Sequence, residues 1–88
     1  KTLFVSNARS NTLSVVDAET KKETAQIRVG ERPSGIAVLP GGKRLYVANE
    51  LSGNISLVDI GSREVIESVP VGVAPNRIAI SAPKKENI

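Results

Sequence analysis

Apolar residues fall in short runs along the chain, and each run is followed by a polar turn. The run at residues 3–7 leads into the polar loop 7–11, and the run at 12–16 ends in a turn that begins at Asp17. Residues 22–29 are more polar, with Ala25, Ile27 and Val29 alternating on one side. Runs this short, rich in β-branched residues and bounded by turn formers, predict β-strands. Because parallel crossovers need about a dozen linking residues, the short turns predict antiparallel meanders.

This pattern occurs twice. After an apolar run at 36–39 and a turn at 40–43, the same order of runs restarts at residue 45. Residues 3–30 and 45–72 align without a gap at an offset of 42, the distance from Leu3 to Leu45. The shared positions include Val5/Val47, Asn7/Asn49, Ser14/Ser56, Asp17/Asp59 and Gly30/Gly72. A repeat of about 40–45 residues built from short strands predicts an all-β fold, a β-propeller with four-stranded antiparallel blades.

Three motifs recur in register in both copies. Residues 46–49 read Tyr-Val-Ala-Asn where residues 4–7 read Phe-Val-Ser-Asn, and each motif is followed by a strand that ends in aspartate, at 13–17 and 55–59. A Val-Gly-x-x-Pro segment then precedes an apolar run in each copy. Over about residues 3–82, the chain resembles the YVTN-type β-propeller repeat.

The phase of that family implies a division of the chain. Residues 1–35 would form the outer three strands of one blade and a connection, and residues 36–72 one complete blade. Residues 73–82 would supply the inner strand of a following blade, at 78–81, and 83–88 a tail or the start of a further repeat. The chain therefore holds about two blades and starts and ends mid-blade. Closed propellers have about four to eight blades, so we expect further blades from the same chain or from other copies.

Composition narrows the function classes. The chain of 88 residues has 12 basic and 9 acidic side chains, a net charge of +3, and these charges are scattered, so we do not expect nucleic-acid binding. No apolar run has the length of a membrane span. Without histidine or cysteine, no nucleophile–base pair or thiolate metal site can be assembled from this segment. We therefore expect no catalytic residue, metal site or cofactor within it.

Repeated polar residues are interpreted as architectural, and residues that differ between the copies as candidates for specificity. Asp17 and Asp59 are expected to bind backbone amides of the turns that follow them, rather than a metal ion. The connection into the inner strand and the loop between the second and third strands should share one face near the ring axis. Five residues there are candidate contacts with a ligand or partner: Arg32, Ser34, Glu50, Asn76 and Arg77. The two arginines suit an anionic group because a guanidinium offers a planar fork of donors.

These observations favour a non-catalytic scaffold or protein-interaction segment of a larger or oligomeric propeller. The resemblance implies a periplasmic, extracellular or surface-layer location. The alternative is a segment of a propeller enzyme whose active site lies elsewhere, similar to haem d1 nitrite reductases, quinoprotein amine dehydrogenases or lactonases. A third possibility is an engineered or partial segment, which three or four copies would close into a ring.

Overall fold

The computed structural model describes residues 1–72, 74–75 and 77–78, and these form seven β-strands. The strands are β1 (Thr2–Asn7), β2 (Thr12–Asp17), β3 (Lys22–Arg28), β4 (Pro33–Val38), β5 (Arg44–Asn49), β6 (Asn54–Asp59) and β7 (Glu64–Pro70). All neighbouring strands are antiparallel, in a three-stranded sheet β1-β2-β3 and a four-stranded sheet β4-β5-β6-β7. The predicted fold class is confirmed: the chain is an all-β propeller segment of about two blades. No helix in the described part of the chain is long and apolar enough to cross a membrane.

The inner strand of the second sheet differs from the prediction at both ends. It was expected at residues 36–39, but β4 begins at Pro33 and ends at Val38. Its pairing with β5 shifts register between Pro33 and Ile36, so β4 includes a β-bulge or similar irregularity at Pro-Ser-Gly. These three residues were expected in the connection before the strand. Val38 is 45% exposed, although an apolar run was expected to be covered on both faces. Of the predicted strand at 78–81, residues 79–81 lie outside the described residues.

The hydrophobic core lies between the two sheets. Leu13, Val15 and Ile27 come from the first sheet and meet three buried residues of the second, namely Leu45, Val47 and Val58. Leu13 and Val15 lie on one side of the first sheet, and we call this side, together with the side of the second sheet that carries the equivalent repeat positions, the back face. Leu45 and Val47 lie on the opposite side of the second sheet, and we call this side, together with its equivalent in the first sheet, the front face. The back face of the first sheet packs on the front face of the second, and apolar burial of this kind stabilises the pair.

Equivalent turns in the two repeats have the same hydrogen bonds and backbone conformations. Asp17 Oδ1 accepts a hydrogen bond from Glu19 N at 2.9 Å, and Asp59 Oδ1 accepts one from Gly61 N at 3.1 Å. These bonds confirm the predicted role of the two aspartates. Left-handed backbone conformations also recur at equivalent positions, in the pairs Asn11/Gly53, Lys21/Arg63 and Arg32/Ala74.

Equivalent side chains differ in exposure according to whether a second sheet covers them. Leu45 and Val47 are 0% exposed on the covered front face, whereas Leu3 and Val5 are 50% and 46% exposed at the same repeat positions of the first sheet. On the back faces, Ile27 is 3% exposed and its counterpart Val69 is 40% exposed. Within the described structure, apolar side chains are therefore exposed at Leu3 and Val5 on the front face of the first sheet and at Val69 on the back face of the second, where Leu57 stays buried.

Candidate functional site

Three loops meet at one end of the paired sheets: the β1–β2 loop, the β3–β4 connection and the β5–β6 loop. Asn11, in a left-handed conformation with φ of 61°, ties the first two together. Its carbonyl oxygen accepts a hydrogen bond from Val29 N at 3.0 Å, and its Oδ1 accepts one from Arg32 N at 2.9 Å. Asparagine suits this position because its short polar side chain tolerates the left-handed region.

The β5–β6 loop binds the other side of the connection through main-chain bonds. Glu50 N donates to the Arg32 carbonyl at 2.9 Å, and Leu51 N donates to the Glu31 carbonyl at 3.1 Å. Ser52 Oγ accepts a bond from Glu31 N at 2.6 Å. The connection between the blades is therefore fixed by partners from both sheets, which places its side chains in a defined position.

Asn49 lies beneath these loops and is fully buried. Its Oδ1 accepts a hydrogen bond from Gly30 N at 3.1 Å, and its Nδ2 donates to Asn54 Oδ1 at 2.9 Å and to Ser56 Oγ at 2.8 Å. A Cβ atom on Gly30 would lie 2.6 Å from Asn49 Cγ, closer than real Cβ contacts. Glycine is therefore required at position 30 by close approach to this asparagine.

An open groove of about 480 Å³ lies at this loop end, and we call it the loop groove. It is lined by Ala8, Arg9, Asn11, Glu31, Arg32 and Leu51. Leu51 is 69% exposed. Arg32 Nε lies 3.3 Å from Glu50 Oε1, and the Arg32 side chain is 64% exposed. An ion pair this exposed is worth about 0–1 kcal/mol, so Arg32 can exchange Glu50 for another carboxylate at little cost.

The structure brings together only some of the sequence candidates. Arg32 and Glu50 form the ion pair at the loop groove. Ser34 is exposed, and its carbonyl oxygen accepts a hydrogen bond from Ser6 Oγ at 3.0 Å, a contact that joins β1 of the first sheet to β4 of the second. Arg77 is exposed, and Asn76 lies outside the described residues. Whether these five residues contact a ligand or partner stays a prediction.

Arg9, Asn11 and Leu51 line the groove but were not among the candidates. They belong to the two loops whose sequences differ between the repeats, so that difference was the signal available for them. The Asn11 contact to Arg32 joins residues far apart in sequence, and a residue pattern alone does not reveal it.

Acid–base and metal chemistry receive no support from the described residues. These residues contain no group of three or more His, Cys, Asp or Glu side chains that could hold a metal ion. Glu23, on β3, has a pKa below its usual range because its carboxylate accepts a hydrogen bond from Ser14 Oγ at 2.6 Å and a second from Gln26 Nε2 at 3.2 Å. A carboxylate held ionised in this way serves as an acceptor and not as an acid.

The four-stranded antiparallel sheet, the partner sheet packed on its front face and the loops gathered at one end define a β-propeller segment. More particularly, the chain belongs to the YNCE-like β-propeller family, whose model matches residues 1–87. Among solved structures, it is similar to Kuenenia stuttgartiensis hydrazine synthase, with 39% sequence identity and a TM-score of 0.84. That match covers 86% of this chain and 22% of the hydrazine synthase chain. None of the curated proteins matches the chain.

Proposed function

We propose that this chain is a non-catalytic segment of a β-propeller scaffold, built from YVTN-type repeats, and that its loop groove binds a protein partner. The blades would divide at residues 1–35, 36–72 and 73–82, with 83–88 as a tail or the start of a further repeat. The exposed Leu3, Val5 and Val69 support additional blades, from the same chain or from other copies. The loop groove is the observation that carries the partner-binding part of the proposal.

The composition of the loop groove favours a protein over a nucleic acid. Arg9 and Arg32 stand beside the acidic Glu31, and Leu51 offers an exposed apolar side chain. Nucleic-acid sites concentrate cations on one face, whereas protein interfaces combine an apolar anchor with a polar rim in which arginine is enriched. The occupant that fits best is a peptide segment with an apolar side chain next to a carboxylate.

In the proposed complex, Arg32 releases Glu50 and binds a carboxylate of the partner. The short, exposed ion pair then acts as a competitor for the partner. Removing the charge of Glu50 should therefore strengthen binding, and removing the charge of Arg32 should weaken it. These opposite signs distinguish a binding role of the pair from a structural one.

Fluorescence anisotropy with labelled model peptides tests this proposal. The probes are Gly-Glu-Leu-Glu-Gly, an all-glutamate peptide and Gly-Lys-Leu-Lys-Gly, and the proteins are the parent chain and its Arg32→Gln, Glu50→Gln and Leu51→Ser variants. We expect the acidic, leucine-containing peptide to bind most tightly. Arg32→Gln and Leu51→Ser should each weaken it several-fold, and Glu50→Gln should tighten it by up to about fivefold, the equivalent of a surface ion pair.

Lys43→Gln is the matched control, because Lys43 is an exposed cation on the β4–β5 turn and does not line the groove. Its affinity should equal that of the parent chain. Equal affinity for the acidic and basic peptides, or an Arg32→Gln variant that binds like Lys43→Gln, would refute the proposed site.

A second candidate is a segment of a propeller enzyme, and the similarity to hydrazine synthase favours it. The reacting groups would then lie on other blades or subunits, because this segment has no histidine or cysteine. The visible absorption spectrum of the full-length protein separates the two candidates. A bound haem or quinone chromophore would support a redox enzyme over the scaffold, and a spectrum without one would count against a redox enzyme.

We also propose a periplasmic or extracellular location. The resemblance to YVTN-type repeats supports it, since such repeats are common in secreted, periplasmic and surface-layer proteins. Fractionation of the cells that produce the protein, with immunodetection in each fraction, tests the location. Recovery in the cytoplasmic fraction alone would contradict it.

A further inference from the structure

Arg32 reaches the loop groove from an unusual backbone position. Its φ is 54°, in the left-handed region that residues with a Cβ rarely adopt. Its side chain is long and 64% exposed, and the guanidinium at its far end pairs with Glu50. Any movement of the backbone at Arg32 therefore displaces the guanidinium, so the groups that hold this backbone decide where the charge lies.

Both peptide groups of Arg32 are held, and by different sheets. On the amide side, Asn11 Oδ1 of the β1–β2 loop accepts a hydrogen bond from Arg32 N at 2.9 Å. On the carbonyl side, Arg32 O accepts a hydrogen bond from Glu50 N of the β5–β6 loop, also at 2.9 Å. The first bond is made by a side chain and the second by main chain alone. A substitution at position 11 can therefore remove one bond and leave the other in place.

The second repeat lacks both partners of the side-chain contact. Gly53 stands at the position of Asn11, with φ of 71°, and Ala74 at the position of Arg32, with φ of 50°. The main-chain bond that closes the loop is present in both repeats, because the Gly53 carbonyl oxygen accepts a hydrogen bond from Val71 N at 3.0 Å. The turn therefore forms without a side-chain acceptor. The acceptor accompanies the cation, at positions 11 and 32.

We propose that Asn11 is a positioning residue for Arg32, and that it directs the guanidinium to the carboxylate-binding position of the loop groove. The inference rests on the proposed function for the identity of the ligand. Asn11 acts by fixing the amide of Arg32, so less conformational freedom is lost when a carboxylate binds. This role explains why the first repeat has a hydrogen bond that the turn itself does not require.

Amide hydrogen exchange measured by NMR tests the contact without any ligand. Asn11→Gly removes the acceptor and suits the left-handed turn, since glycine occupies the equivalent position of the second repeat. The Arg32 amide should lose protection several-fold in this variant. The Glu31 amide, which donates to Ser52 Oγ, should keep its protection and serves as an internal control. Asn11→Asp retains an acceptor and tolerates the left-handed region, so it should restore the protection of Arg32.

Peptide binding tests whether Asn11 acts through the guanidinium. With labelled Gly-Glu-Leu-Glu-Gly, Asn11→Gly should weaken the affinity by up to about fivefold, the equivalent of one net hydrogen bond. In the Arg32→Gln background, the same substitution should change the affinity by less than about twofold, because the group that Asn11 positions is absent. A general effect on the loop would weaken binding equally in both backgrounds. Ser10→Ala should bind like the parent chain, because Ser10 is exposed on the same loop and does not line the groove.

The two readouts separate this inference from the proposed function. Unchanged protection of Arg32 in Asn11→Gly, an equal loss at Glu31, or equal weakening of peptide binding in the two backgrounds would overturn the inference. A parent chain that binds no acidic peptide would refute the proposed function, whereas a selective loss of protection at Arg32 would still support the positioning role of Asn11. Circular dichroism verifies that each variant folds.

Discussion

Replacing Asn49 with alanine tests how the second blade holds the connection that enters it. The change removes two donated hydrogen bonds, to Asn54 Oδ1 and Ser56 Oγ, and one accepted from Gly30 N. Each such bond contributes about 1 kcal/mol net. Because Asn49 is 0% exposed, water does not readily replace it, and its former partners are left unsatisfied. We expect a loss of about 3 kcal/mol in the free energy of unfolding.

Asn7→Ala is the matched control because Asn7 occupies the same position in the first repeat. Its Nδ2 donates to Thr12 Oγ1 at 3.0 Å and to Ser14 Oγ at 2.7 Å. The residue is only partly buried, so water can satisfy the groups that the substitution frees. We expect a loss of about 1 kcal/mol, near the net contribution of a single bond.

Urea denaturation followed by far-ultraviolet circular dichroism measures both losses. All proteins are compared at one low concentration at which sedimentation shows monomers, because association shifts apparent stability. Unchanged m-values would show that both variants unfold from equally compact states. If the two variants lose the same free energy to within about 0.5 kcal/mol, burial of Asn49 is not what makes its bonds valuable, and the reasoning fails.

Three further predictions concern packing and ionisation. Gly30→Ala should lower the free energy of unfolding by about 1–3 kcal/mol, because its Cβ would lie 2.6 Å from Asn49 Cγ. Gly61→Ala should change that free energy by less than about 0.5 kcal/mol, because its Cβ would meet only Asp59 Oδ1 at 3.6 Å. Leu45→Ala should lower the free energy of unfolding by about 2–5 kcal/mol, and Leu3→Ala by less than half of that, because at the same repeat position Leu45 is 0% and Leu3 50% exposed. Equal losses in urea denaturation would contradict the assignment of covered and open faces. The lowered pKa of Glu23 contributes stability that is present at pH values above the pKa of an unfolded glutamate and is lost as the pH falls through the lower folded pKa. Ser14→Ala should raise the pKa of Glu23 in a carbon-detected NMR titration, because it removes the hydrogen bond to the carboxylate. An unchanged titration midpoint would contradict the Ser14 contact.

The strand order was predictable from the sequence because two copies of one pattern constrain each other. Turn formers and β-branched runs recur at a fixed offset, so a strand assigned wrongly in one repeat would have disagreed with the assignment in the other repeat. The start of β4 was not predictable in this way. Pro33, Ser34 and Gly35 read as a loop in both local propensity and motif, and only pairing with β5 extends the strand to Pro33.

The loop groove was predictable only in outline. Loops that differ between the repeats were recognisable, and their shared end of the molecule followed from the meander. The pairing of Arg32 with Glu50 depends on main-chain bonds that bring the β3–β4 connection onto the β5–β6 loop. Likewise, the requirement for glycine at position 30 comes from a buried amide nineteen positions further along the chain. Long-range contacts of this kind leave no periodic trace in a single sequence.

The recurrence of the same front-face and back-face positions in both repeats has a consequence for how such a chain can lengthen during evolution. The described interface joins the back-face positions of one repeat to the front-face positions of the next, so an in-frame duplication of 42 residues would add a blade that carries both sets of positions. The duplicated gene segment can begin at any codon of the repeat, since the inserted period preserves the order of strands and turns. No new interface has to arise by point mutation, so blade number can change in single genetic events while loop sequences diverge separately.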